Sequence, residues 1–281
     1  MTRSIASFAL LMAACRFDPA GAAAGVDPGA DAAPDEDVSA FDLVLPGPAH
    51  YLYDTAAGSL ERDGGESIDV PSEVRDGVRV IDAASVLLAH DAVLRVVGEL
   101  PLAVTAASTV EIDGTLDASS RLADAAGKSG GAVSLTARAR LAVGGRILVG
   151  GAGGAGGALS SAGDTGGAGG AIRLSGHEIL LAEHAVLSAN GGGGGEGGDA
   201  DQVGRPGEDA PADGRRAHGG AGDANDGGDG GEGAGDLDIA GKPGKAGAGA
   251  EGAPGGAGGA GGVISLLGLV TDGGARITPT Y

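Results

Sequence analysis

From about residue 68 the chain places apolar residues in short bursts: "SIDVP", "VRVID", "SVLLA", "AVLRVVG", "PLAVT" and "TVEIDGTLDAS". Within each burst β-branched and aliphatic side chains recur at every second position, the period of a strand with one buried face. No amphipathic stretch at period 3.6 survives for three turns, so long helices are not expected. The pattern predicts an all-β protein.

The bursts are copies of one another. Leu102, Val104, Val110, Ile112, Gly114, Leu116 and Ala118, each moved on by 31 positions, become Val133, Leu135, Leu141, Val143, Gly145, Ile147 and Val149, with no gap. A third copy needs small slips and reads Ile172, Leu174, Ile179, Leu181, Leu187 and Ala189; a fourth opens at Ile264 and Leu266. Three apolar pairs per copy suit a three-sided rung of roughly 20 residues. The expected fold is a short right-handed parallel β-helix, a three-sided solenoid, with Leu102 stacked on Val133 and Val133 on Ile172. A β-sandwich made of the same short strands is the alternative. Each such aliphatic side chain taken out of water stabilises by about 1.5–3 kcal/mol, so a few rungs suffice to hold together.

Extra residues enter after the third pair of each copy and leave before the first pair of the next. The inserts cover about 119–131, 150–170 and 190–262, and in a stack they emerge from one corner, a face that often carries the interaction in repeat proteins. They are rich in glycine, which is costly to order. Their Gly-Gly-Ala period nevertheless matches the three-residue turn of a polyproline-II helix. The runs 150–157, 166–171 and 255–262 are therefore expected to pack as polyglycine-II-type helices. The charged stretch 199–233, "DADQVGRPGEDAPADGRRAHGGAGDANDGGDGGEG", is expected to be a loop or disordered. No sustained G-X-Y period is present, which excludes collagen.

Composition sharpens this picture. Glycine supplies 60 of 281 residues, aromatic residues are 2%, and Trp is absent, which predicts an aliphatic core. With 38 acidic against 18 basic residues the formal charge is −20. That sign argues against nucleic-acid binding, which needs cations to displace counterions, and against electrostatic docking on anionic lipid.

The first residues, "MTRSIASFALLMAAC", join a cationic start at Arg3 to an apolar run too short to span a bilayer. The reading is a signal peptide over 1–14, a lipidated Cys15 followed by an Ala/Gly/Pro/Asp tether over 15–41, and a β domain over 42–281. Leu11-Met12-Ala13-Ala14-Cys15 resembles a bacterial lipobox, with Met12 where that motif prefers Leu. An ordinary signal cut after Ala22 or Ala24 is the alternative. Cys15 is the single Cys of the chain, so no intramolecular disulfide forms. Together with "IDGTLDAS", "LSANGGGGG" and "GGAGGAI", these features resemble the Gly-rich surface lipoproteins of myxobacteria. The resemblance implies secretion across the inner membrane and a lipid anchor at the outer membrane or cell surface; Arg16 after the Cys implies outer-membrane sorting.

Candidate chemistry is sparse. Glu111, Asp113 and Asp117 alternate with Val110, Ile112 and Leu116, which would set three carboxylates toward solvent on one rung. Paired carboxylates do acid–base work in glycoside hydrolysis, but the copy 31 residues on has Ala142, Gly144 and Leu148 there. Asp223, Asp226, Asp229, Asp236 and Asp238 crowd oxygen ligands among glycines and are the residues to suspect for weak calcium binding. The spacing fails the EF-hand, which needs Glu where Ala234 stands. His50, His90, His177, His184 and His218 show no metalloprotease spacing, and "GKSGG" at 127–131 lacks the rest of a phosphate loop. The expected function is a non-enzymatic surface scaffold or adhesive module, without a cofactor, whose Gly-rich face meets extracellular polysaccharide or another surface protein. A polysaccharide-active β-helix enzyme, or a weak calcium-binding surface protein, is the alternative.

Overall fold

The structure, a computed structural model, describes residues 41–221, 228–235, 239–248 and 252–279. Cys15, the signal and the tether lie outside the described residues. The compact unit Ser39–Tyr281 contains strands and, among the described residues, no helix.

The strands are β1 (Asp42–Leu45), β2 (Ala49–Asp54), β3 (Ser59–Arg62), β4 (Glu66–Ile68), β5 (Glu73–Arg75), β6 (Val78–Ala83), β7 (Ser85–Leu88), β8 (Ala92–Val97) and β9 (Leu102–Ala106). There follow β10 (Thr109–Ile112), β11 (Thr115–Asp117), β12 (Ala132–Val143), β13 (Arg146–Leu148), β14 (Ala171–Leu181), β15 (Val186–Ser188), β16 (Val263–Asp272) and β17 (Arg276–Thr278). They form two mixed sheets, of nine and eight strands.

Most pairing is parallel and falls in three ladders. One joins β6, β9 and the first halves of β12, β14 and β16. The second joins β1, β7, β10 and the second halves of the same long strands. The third joins β2, β8, β11, β13, β15 and β17. Leu102 pairs with Val133 and Val133 with Ile172, the register expected from the internal repeat. Val110 with Leu141 and Leu116 with Ile147 keep the same offset of 31. The slip needed for the third copy is an irregularity between Ala137 and Arg140, where β12 and β14 change register.

The alternation of the strands decides which side chains meet. Leu102, Val133 and Ile172 are buried in one row, Ile112, Val143 and Leu181 in a second, and Leu116, Ile147 and Leu187 in a third. At the corner between the second and third ladders Gly145 follows Gly114. A Cβ on Gly145 would stand 1.9 Å from the Gly114 carbonyl oxygen, so the corner excludes any side chain.

Two expectations are corrected at the N-terminal end. The burst "SIDVP" does not extend a parallel ladder: Ile68 pairs with Leu60 in the antiparallel β3–β4 hairpin. Gly64 and Gly65, at φ +93° and +81°, reverse the chain there, a conformation glycine adopts without steric cost. The core is also not purely aliphatic, since Tyr51 and Tyr53 are 2% exposed. Antiparallel β3 on β2 and β5 on β6 make this end of the sheets different from the rest. Buried Arg79 fastens it, donating from Nε to the Thr55 carbonyl and from Nη2 to the Ala56 carbonyl, both at 2.8 Å.

Candidate functional surface

The described parts of the long connections after β11, β13 and β15 are held against one another by backbone hydrogen bonds, and segment 190–198 is their centre. Its amides turn through three directions with a period of three residues. Gly191, Gly194 and Gly197 donate to the carbonyls of Ala234, Gly231 and Gly228. Gly192, Gly195 and Gly198 donate to Gly167, Asp164 and Ser161, while Gly193 and Glu196 donate to Glu208 and Arg205. The carbonyls of the same segment accept from three further segments. Gly151, Gly154 and Gly157 donate to Asn190, Gly193 and Glu196; Gly259, Gly256 and Ala253 donate to Gly192, Gly195 and Gly198; Gly220 donates to Gly194.

Six segments therefore surround one, and they close into a ring. Gly167 donates to Ala152, Gly166 to Ala257, Gly231 to Gly256, Gly230 to Gly220, Glu208 to His218 and Gly207 to Gly154. In ring order these are 150–160, 161–170, 252–262, 228–235, 217–221 and 202–210. A buried amide or carbonyl without a partner costs about 1–3 kcal/mol, so this arrangement offsets what ordering so much glycine costs.

At the centre a Cβ on Gly191, Gly192 or Gly193 would fall 2.0, 2.0 or 1.9 Å from the carbonyl oxygen of Gly259, Ala152 or His218, so none of these three residues admits a side chain. In segment 150–158 two positions in three are glycine, and the third is Ala152, Ala155 or Ala158. Segment 241–247 lies outside the ring and needs glycine only once per turn. Gly241, Gly244 and Gly247 face the carbonyls of Gly258, Gly255 and Gly252, while Lys242 and Lys245 are free to vary.

The charged stretch 199–233 carries no strand over its described residues, as a loop would, but its parts 202–210, 217–221 and 228–233 are hydrogen-bonded members of the ring rather than disordered. The charges occupy positions that point away from neighbours. Asp229 and Glu232 meet Lys245 and Lys242 at 2.6 and 2.5 Å on the antiparallel outer segment. Lys242 holds the Glu232 carboxyl below the usual carboxylate range, and Asp229 raises Lys245. Burial pushes Glu208 up, but the Arg215 guanidinium and the His218 backbone N–H outweigh it and leave the carboxyl lowered. Glu196, the one side chain among residues 191–198, accepts from the Arg205 N–H at 2.9 Å. Asn190 closes the entrance by donating from Nδ2 to the Gly214 carbonyl at 2.8 Å.

The carboxylates singled out from the sequence do not converge. Glu111 and Asp117 belong to strands of different sheets. Asp113 lines a cleft of about 360 Å³ with His90, Asp91, Arg146 and His184. Asp117 was expected to face solvent and is instead 7% exposed. Its Oδ2 lies 2.8 Å from Arg121 Nη2 and 3.1 Å from Arg95 Nη1, and its Oδ1 accepts from the Ser119 N–H. Both oxygens are engaged, which makes Asp117 a structural clamp on the first connection rather than a free base. Arg95 and Asp124 line an adjacent cleft of about 450 Å³. Asp209, which no motif marks, ties the first connection to the others by accepting from the N–H groups of Leu122 and Gly153 at 2.7 and 2.8 Å.

Of the suspected calcium ligands, Asp223, Asp226, Asp236 and Asp238 lie outside the described residues, and Asp229 is engaged by Lys245. Among the described residues no group of three or more His, Cys, Asp or Glu is placed to hold a metal ion. Comparison with protein-family models, curated proteins and solved structures finds no match.

Proposed function

We propose that this chain is a lipid-anchored surface scaffold in which a three-sided, right-handed parallel β-helix carries a polyglycine-II bundle as its presented face. The three parallel ladders and their shared offset of 31 residues support the β-helix. The observation that carries the reading is the closed ring of six segments around 190–198, each bonded to the centre and to its neighbours. A mobile linker has no use for such satisfied backbone, whereas a rigid platform for extracellular polysaccharide or another surface protein does. Lipidation of Cys15 would attach the platform to the membrane through the tether, and no step of the proposal requires a cofactor or a reaction.

The test combines anchoring with binding. Cells making the full chain are expected to retain it in the membrane fraction and to release it on Cys15→Ser. The chain is expected to bind insoluble matrix polysaccharide or whole cells and to lose binding on Gly192→Val, without releasing reducing sugar. Reducing-sugar release that is lost on Asp113→Ala would replace the scaffold with an enzyme.

A further inference from the structure

A second surface lies off the bundle, on the outer flank of the first ladder. Its outward residues run in two rows across the strands. Thr105, Thr136 and Ser175 stand opposite one another in one row, and Ala103, Ser134 and Arg173 in the other. The four hydroxyls make no hydrogen bond with a described residue, whereas Thr55, Ser108 and Ser120 spend theirs on backbone carbonyls. The cations divide in the same way. In the Gly-rich connections Arg215, Lys242 and Lys245 each hold a carboxylate at 2.5 or 2.6 Å. On the strands Arg138, Arg140 and Arg173 are exposed, and none forms an ion pair with a described residue. β9 and β12 contain no acid, and β14 contains none before Glu178, which lies opposite Arg140. Asp82 on β6, opposite Thr105, is taken by Arg75.

We infer that this flank binds an anionic polysaccharide of the polyuronate class, its carboxylates on Arg138, Arg140 and Arg173 and its hydroxyls on the Thr and Ser rows. The planar guanidinium fork matches a carboxylate in two parallel hydrogen bonds. A chain with 38 acidic and 18 basic residues keeps three such forks unpaired on one acid-poor flank, which is charge complementarity to a local anion. Spacing chooses the polymer. Arg138 stands four residues beyond Ser134, the partner of Arg173, so the two cations start roughly 13 Å apart along the strands. Duplex nucleic acid presents a charge every ~1.7 Å and needs a continuous cationic track. A polyuronate spaces its carboxylates more widely and sets hydroxyls between them, as this flank does. At physiological ionic strength the remaining acidic surface is screened beyond about 8 Å, so the groups in contact decide. The inference takes from the surface-scaffold reading only the class of partner, since the site itself lies off the bundle.

Titration of the full chain with soluble polygalacturonate tests the site, with dextran as the neutral glycan and polyuridylate as the rival polyanion. Polygalacturonate is expected to bind at least tenfold more tightly than either. The double variant Arg138→Gln with Arg140→Gln, and separately Arg173→Gln, should each weaken that binding about tenfold. Arg62→Gln, which removes an exposed cation from β3, should change it less than twofold. No binding of polygalacturonate, equal binding of dextran, or tighter binding of polyuridylate would overturn the inference. So would Arg138, Arg140 and Arg173 variants that bind as the wild type does, or an Arg62→Gln chain weakened as much as they are. Any of these failures leaves the bundle reading standing, because Gly192→Val tests that reading at a different surface.

Discussion

The amide of Gly192 donates to the carbonyl of Gly167 at 2.9 Å, and the Gly192 carbonyl accepts from Gly259 at 2.8 Å. Residues from the second connection and from both ends of the third thus meet at one glycine. Gly192→Ala would put a methyl about 2.0 Å from the Ala152 carbonyl oxygen, where backbone must move. The expected loss is about 1–3 kcal/mol, the usual range for overpacking. Ala257→Ser, at an outward position of the ring, should stay within about 0.5 kcal/mol. Urea unfolding of the three chains checks both.

The buried Arg79 supplies a second test. Arg79→Met keeps most of the volume but leaves the Thr55 and Ala56 carbonyls without their donors. One to two unpaired acceptors should cost about 2–4 kcal/mol. Proteolysis is expected to begin at the loop of residues 55–58, and a variant cut no faster than the wild type there would count against the role given to Arg79.

Acid should loosen the outer segment first. The Glu232 carboxyl is lowered in the folded chain by Lys242, so its contribution is complete above the unfolded value near ~4.3 and is lost as pH falls through the lower folded value. Glu208, held by Arg215, behaves in the same direction. Protection relative to the intrinsic exchange rate at 228–232 and 242–245 should fall between about pH 5 and pH 3, while the amides of β12 stay protected; Glu232→Gln should flatten that dependence.

Ile172 is fully buried between Val133 and Ile264. Ile172→Ala should cost about 2–5 kcal/mol, as large-to-small changes in packed cores do. Ser134→Ala, at the outward position between the buried Val133 and Leu135, should cost little, which thermal unfolding can compare.

Much of the strand register was legible because it rests on side-chain spacing. Leu102, Val133 and Ile172 pair as the repeat requires, and the corner glycines Gly114 and Gly145 fall together. The hairpin ending at Ile68 was not, because one burst of "SIDVP" satisfies either pairing direction and only the Gly64-Gly65 reversal decides. Tyr51 and Tyr53 were overlooked because low aromatic content says nothing about where the few aromatics go.

The Gly-rich surface was half legible. The Gly-Gly-Ala runs announce themselves, but the charged and polar residues between them, Asp229, Glu232, Lys242 and Lys245 included, hide the further members. The usable signal was the three-residue spacing of the remaining glycines, Gly241, Gly244 and Gly247, which survives when the other two positions vary. The central role of 190–198 was written in its lack of any outward alanine. Asp117 could not be placed from spacing, since its partner Arg95 comes from β8, the neighbouring strand of the same ladder and outside the 31-residue repeat, and Arg121 from the connection that follows it.

The most direct test of the account is amide hydrogen exchange over residues 190–198 in the full chain at neutral pH. A seven-segment bundle predicts protection of Gly191 to Gly198 comparable to that of β12 and β14, with the outer segment 241–247 exchanging sooner. Exchange of Gly191 to Gly198 at the rate of exposed, unstructured amides would contradict it.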